Sequence, residues 1–213
     1  MTHAMATIPH VTDTDDVDVT DLDRMRREHN AASPAGAKLG MLPFIIRAVV
    51  RALQAYPIFN ASLDPERDEI VYRRYINIAI GVQTERGLTA PVLRDVDRMT
   101  IPHINAELAR LADRARQGTL GLDEMSGGTY TISNAGAMGG SRYSTPIITP
   151  PQVAVLALGR TRKMPWVVND EVAPRLILPL SHSMDHRLID GAIEIAFMQH
   201  LIQDLEKPVR LML

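Results

Sequence analysis

Between residues 39 and 56 the chain reads LGMLPFIIRAVVRALQAY, and Leu42, Ile45, Ile46, Val49, Val50 and Leu53 recur at the spacing of one broad helical face. Pro43 suits the first turn of such a helix, where its missing N–H is not needed. From Thr100 to Gln117, Ile101, Ile104, Leu108, Leu111 and Ala115 share a face, and Gly118 can end the helix. A last helix is predicted from about Asp190 to Glu206, burying Ile193, Phe197 and Leu201. Between these lie strand patterns. Ile70 to Arg73 is one, and Tyr75 to Val82, with Ile76, Ile78, Ile80 and Val82 on one face, is another. Thr129 to Ser133, Val153 to Leu158 and Arg175 to Leu180 are apolar, β-prone runs bounded by Gly, Pro or Asn. Near the start, Asp16, Asp18 and Thr20 alternate with Val17 and Val19 as on a half-exposed strand. Thr20 with Asp23 resembles a helix N-cap, predicting a short helix from Asp21 to Asn30, and the AASPAGA run at 31–37 reads as a loop. Strands and helices interleave without a strict βαβ rhythm, so the expected architecture is one α/β domain with a mixed sheet over residues 1–213.

Composition narrows the functional classes. At 213 residues, 46% hydrophobic and 23% charged, the chain can bury a full core. A net charge of −2 argues against the basic face that nucleic-acid binding needs. No apolar run approaches the roughly 18 residues of a membrane span. The N-terminal MTHAMATIPH lacks the basic start and long apolar stretch of a signal peptide. Both features fit a cytoplasmic protein, or a mitochondrial matrix protein read without its transit peptide. There is no cysteine, which removes disulfides, thiolate metal sites and a Cys nucleophile, so any thiol chemistry must use thiols carried by substrates.

Candidate chemistry concentrates in a few segments. The six aspartates of DTDDVDVTDLD, at 13–23, do not make a calcium loop: no Gly stands at the sixth position, and Arg24 occupies the place of the bidentate Glu. SHSMDHRLIDGA, at 181–192, offers His186 as a general base, with Asp190 four residues on at the expected helix start. By spacing alone, a structural histidine beside a capping Asp is the favoured reading. His182, His186 and Asp190 would share a face on one helix as metal ligands, but Pro179 and the strand-like LILPL oppose a helix there. On a strand, four residues span about 13 Å, too far for a shared ion. A kinase catalytic loop is excluded because its glycine-rich loop and metal-binding triplet are missing. TISNAGAMGG, at 131–140, puts Ser133 and Asn134 at a strand end before a glycine-rich loop, where a hydroxyl either donates to an oxyanion or simply caps a turn.

Taken together, several segments resemble one family in the right order along nearly the whole chain. They are IPHVT at 8–12, LPFIIRAVVRALQAYPIFNASLD at 42–64, GLTAPVLRDVD at 87–97, TISNAGAMGG, STPIITPPQVAVLALG at 144–159 and DHRLIDGA at 185–192. The family is the catalytic domain of dihydrolipoamide acyltransferases, the core components of 2-oxo-acid dehydrogenase complexes. The resemblance implies a chloramphenicol-acetyltransferase-like fold, a mixed sheet with packed helices, and a homotrimer with active sites between subunits. It implies coenzyme A as a substrate, a lipoyl group on a separate domain and no metal. As partners it implies a lipoyl domain, the decarboxylase and dihydrolipoamide dehydrogenase components, and further copies of itself in a cubic or dodecahedral core, with no nucleic acid and no membrane. Lipoyl and peripheral-subunit-binding domains are not in this sequence, so the expectation is an excised or truncated core domain. By resemblance, His186 is the catalytic base, Asp190 its acidic partner, and Ser133 the hydroxyl that stabilises the tetrahedral intermediate from across a subunit boundary. Arg26, Ser133, Asn134 and Gly159 fall at coenzyme A contacts.

The sequence departs from the family pattern in places. Gln83 stands where Asp is usual, and Gly40 and Ala90 replace larger or polar residues. His182 and Met184 match neither the Leu and Tyr of acetyl-transferring members nor the Trp and Ala of branched-chain ones. PIFNASLD and DHRLIDGA lean toward a branched-chain acyl group, with acetyl and succinyl as alternatives. A core mainly serving as scaffold and a chloramphenicol-type enzyme are the competing functions. The apolar end VRLML fits assembly through the C-terminus, or Leu211 and Leu213 packing on their own subunit.

Overall fold

The computed structural model describes residues 1–33, 38–64, 66–85 and 87–212. In chain order the elements are helix α1 (Thr2–Thr7), strand β1 (His10–Asp18), α2 (Thr20–Ala32), α3 (Leu42–Ala55), β2 (Ala61–Asp64) and β3 (Glu69–Tyr72). Then come β4 (Ile78–Ile80), β5 (Val82–Thr84), β6 (Gly87–Thr89), β7 (Val92–Leu93), α4 (Ile101–Gln117) and β8 (Tyr130–Ser133). The chain continues through β9 (Ala154–Leu158), β10 (Arg162–Val168), β11 (Glu171–Asp185), α5 (Gly191–Glu206) and a 3-10 turn at Pro208–Met212. Residues 34–37 of the predicted loop, and Leu213, lie outside the described residues.

The main sheet is mixed, as the interleaved patterns predict. Its order is β1-β11-β9-β8-β4-β7, with β10 pairing β11 beyond the end of β1. β8 runs parallel to both β4 and β9, and the other pairings are antiparallel. Helices α3 and α5 pack on this sheet. Ile46, Val50 and Leu53 of α3 and Phe197, Leu201 and Leu205 of α5 join Ile132, Leu156 and Leu180 of the strands in one continuous core. Each such side chain contributes about 1.5–3 kcal/mol on burial, which explains why these stripes were readable. α4 has the predicted ends: the Thr100 hydroxyl accepts from the His103 N–H at 3.4 Å, and Gly118 takes a left-handed φ of 68°. Among the described residues, no helix is long and apolar enough to cross a membrane.

Three expectations need correction. Thr20 does not cap α2; its hydroxyl donates to Asp18 at 2.6 Å and accepts from the Leu176 N–H at 2.7 Å, tying β1 to β11. Tyr75 to Val82 is not one strand, because after β4 the chain leaves the main sheet, and β5 pairs with β6 in a ribbon of its own. β11 is far longer than Arg175 to Leu180, and its hairpin partner β10 was not foreseen. Asn169 and Asp170, at φ 50° and 65°, form the two-residue loop between them, a conformation Asn and Asp tolerate. Leu211 packs in its own chain, as one of the two alternatives for VRLML expects, while Val209 and Met212 are exposed. The N-terminal aspartates are engaged in ion pairs: Asp16 with Arg142, Asp18 with Arg175, and Asp23 with Arg26 and Arg27.

Candidate active site

The strand β11 delivers its residues to a short turn at its C-terminal end. The backbone N–H groups of Leu188 and Ile189 both donate to the Asp185 carbonyl at 3.1 Å, and the His186 N–H donates to the Pro9 carbonyl at 3.1 Å. The buried Asp185 carboxylate receives the Arg187 guanidinium at 2.6 and 3.0 Å. His186 projects from this turn, exposed in the single chain. Asp190 then starts α5, its carboxylate accepting from the Ile193 N–H at 2.9 Å. The capping role is therefore the one the structure assigns to Asp190, and any service to His186 runs through the helix start. His182 lies inside β11, fully buried, with Nδ1 2.6 Å from Glu194 Oε1. The continuous helix a three-ligand metal site would need is not formed. Met184 points into the same core, and neither residue lines a described cavity.

Ser133 ends β8, paired with Ala157 of β9, which in turn pairs with Ser181 of β11. His186 lies five residues beyond Ser181, which is about 16 Å of extended strand. One chain therefore holds the two candidate groups at opposite ends of its central strands and does not bring them together.

Asn134 and Gly159 do converge, lining a cavity of about 330 Å³ with Gly136, Arg160, Leu42 and Leu178. Close approach of backbone makes this possible. A Cβ on Gly136 would collide with the Gly159 carbonyl, and one on Gly159 with the Arg142 carbonyl, so three segments meet only because both positions lack side chains. Asn134 also lines a cavity of about 540 Å³ with Gln83, Gly81, Lys38, Gly40 and Arg116. Arg26 lines neither cavity. Its guanidinium donates to Asp23 at 2.6 Å and to the Leu39 carbonyl at 3.1 Å, so it holds the segment whose neighbours Lys38 and Gly40 form the cavity wall.

Sequence reasoning assigned no role to Asp185, Arg187, His10 or Glu194. The Asp and Arg flank His186 in the DHR triplet, a signal that was visible but read only as a motif. His10 donates from Nδ1 to the Ile8 carbonyl at 2.8 Å and accepts at Nε2 from the Ile148 N–H at 3.0 Å, which fixes the orientation of its ring beside the His186 turn.

Residues 1–213 match the model of the 2-oxoacid dehydrogenases acyltransferase (catalytic domain) family. The chain belongs to that family. As a member of the 2-oxoacid dehydrogenase acyltransferases, it is 42% identical over 214 residues to the dihydrolipoyllysine-residue acetyltransferase component of the Staphylococcus aureus pyruvate dehydrogenase complex. That alignment covers 100% of this chain and 50% of the relative, so the chain spans about half the length of the curated relatives it matches. Two solved structures, Azotobacter vinelandii dihydrolipoamide acetyltransferase and the cubic core of a pyruvate dehydrogenase multienzyme complex, each superpose with a TM-score of 0.94 at 36% identity. Each covers 100% of this chain and 87% of the other. Chloramphenicol acetyltransferase shares the fold, with a TM-score of 0.58 at 17% identity over 94% of this chain and 88% of its own.

Proposed function

We propose that this acyltransferase domain moves an acyl group between the thiol of dihydrolipoamide and that of coenzyme A, at sites that take His186 from one copy of the chain and Ser133 from another. The observation that carries this reading is the separation of those residues: each stands at the end of a strand, with an exposed imidazole at one end of the sheet and, at the other, a hydroxyl next in sequence to Asn134, which lines two cavities. A second copy that brings its Ser133 end against the His186 end completes the set. The solved Azotobacter vinelandii enzyme supports the assignment, since its catalytic mechanism was studied through a serine, a histidine and an asparagine four residues after that histidine. Asp190 has the same offset from His186 here.

The chemistry balances on these groups. A neutral His186 takes the proton from the attacking thiol, and the thiolate adds to the thioester carbonyl. Ser133 donates a hydrogen bond to the oxyanion. Collapse of the tetrahedral intermediate breaks the original C–S bond, and the departing thiolate recovers the proton from the imidazolium. Coenzyme A would lie against Asn134, which lines both cavities, with Gly159 in the smaller one and Arg26 supporting the 38–40 wall of the larger. The lipoyl group would arrive on a separate domain. The cubic-core relative favours a trimer-based cage, with the exposed Val209 and Met212 as contacts between trimers and with decarboxylase and dihydrolipoamide dehydrogenase as docked partners. Its compartment would be the cytoplasm of a bacterium or the mitochondrial matrix of a eukaryote.

For the acyl group, PIFNASLD and DHRLIDGA lean to a branched chain, whereas the Staphylococcus aureus relative serves a pyruvate complex and favours acetyl. A transfer assay to free dihydrolipoamide with acetyl, isobutyryl and succinyl coenzyme A decides it. Turnover with one of the three above the others assigns the acyl group, and no turnover with any of them contradicts the proposed reaction.

A further inference from the structure

His182 and Glu194 stand at the two roots of the turn that carries His186. His182 lies four residues before His186 on β11, and Glu194 four residues after Asp190 on the first turns of α5. Both are buried, at 0% and 2% exposure, with Nδ1 and Oε1 2.6 Å apart. Three aromatic rings fix the imidazole: Phe197 stacks on it with centroids 5.0 Å apart, Phe59 lies at 5.5 Å and Tyr130 at 6.0 Å. Burial pushes the Tyr130 phenol well above its ordinary range, and the Glu194 charge adds to that. A buried pair of this kind adds little stability over apolar residues of similar volume. What it adds is direction. Among the described residues, the other side-chain bonds of this turn, from Arg187 to Asp185 and from the Ile193 N–H to Asp190, stay on one side of it. The bond from His182 to Glu194 spans strand and helix.

We infer that the His182–Glu194 hydrogen bond is a clamp that fixes the end of β11 against the start of α5 and so holds His186 in its transfer geometry. Both are positioning residues, and the inference rests on the reading of His186 as the base. A misplacement of about 1 Å at a reacting group is enough to cost as much as a hundredfold in rate.

The test uses the full chain with three variants. Glu194→Gln keeps an acceptor for Nδ1–H and should retain kcat within about twofold. The double variant His182→Leu/Glu194→Leu fills the same space without a directional bond. It should keep a wild-type melting temperature and lose kcat by about tenfold or more, with KM for both thiol substrates within about twofold. Hydrogen exchange across 186–190 should quicken in the double variant and not in Glu194→Gln. A folded double variant with wild-type kcat and exchange overturns the clamp. If that variant does not fold, Glu194→Ala replaces it, and equal losses in Glu194→Ala and Glu194→Gln overturn the clamp. A wild-type protein without transfer activity overturns the reading of His186 instead, and the exchange comparison then decides the clamp by itself.

Discussion

A free alkyl thiol is only a few per cent ionised near neutral pH, so transfer between two thiols depends on a placed base and an oxyanion donor more than on binding alone. Ser133→Ala should therefore fold and assemble normally while turnover falls by about two to three orders of magnitude, or roughly 2.7–4 kcal/mol in the barrier. Steady-state kinetics beside a thermal melt would separate the two effects, and near-normal turnover would remove Ser133 from the mechanism. Asp190 has a different task, set by its bond to the Ile193 N–H. Asp190→Ala should cost about 0.5–2 kcal/mol of stability, and Asp190→Asn much less, because Asn is an equally good cap. Equal melting temperatures for the two variants would contradict the cap. At this scale His186, Asp190, Ser133 and Asn134 were legible as candidates because each combines a reactive or capping residue type with a break in regular structure, and Gly159 only through the resemblance. Glu194 was not, since in sequence it is one acid on an exposed-looking helix turn, and only the packing of β11 against α5 gives it a partner.

Helices α3, α4 and α5 were readable for a physical reason: burial of one stripe imposes a 3.6-residue period that survives in sequence. β10 and the start of β11, residues 171–174, escaped because they carry Pro165, Pro174 and several charges, and their exposed faces impose no apolar alternation. This outer part of β11 is held to the N-terminal strand by Asp18 and Arg175, 2.5 Å apart. Burial alone would raise the Asp18 carboxyl, but hydrogen bonds from Thr20 and Arg175 outweigh it and hold the carboxyl below the usual carboxylate range. A pKa lowered on folding contributes stability that is complete above the unfolded value, about 3.9, and disappears as pH falls through the lowered folded value. Asp18→Asn should thus be less stable than wild type at neutral pH, with the gap closing as pH drops below about 4. Urea midpoints across that window would check it, and a gap that stays constant with pH would exclude the ion pair as its source.

At the level of the whole molecule, two facts constrain the reaction. The sequence contains no cysteine, so the acyl group has no protein sulfur on which to rest, which fits direct transfer between two substrate thiols. The register of β8, β9 and β11 keeps Ser133 and His186 apart within one chain, so the site proposed for them needs a second copy. In the sequence that second point was available only through the family resemblance, because strand order and register decide it and neither is written in a local pattern. Co-expression of Ser133→Ala with His186→Ala tests it most directly. Each variant alone is predicted to be inactive or nearly so. Random mixing of the two in equal amounts should restore about a quarter of the wild-type activity per site, since one interface in four then pairs an intact Ser133 with an intact His186. Mixed assemblies that remain as inactive as the separate variants would show that both residues act within a single chain, contradicting the intersubunit site.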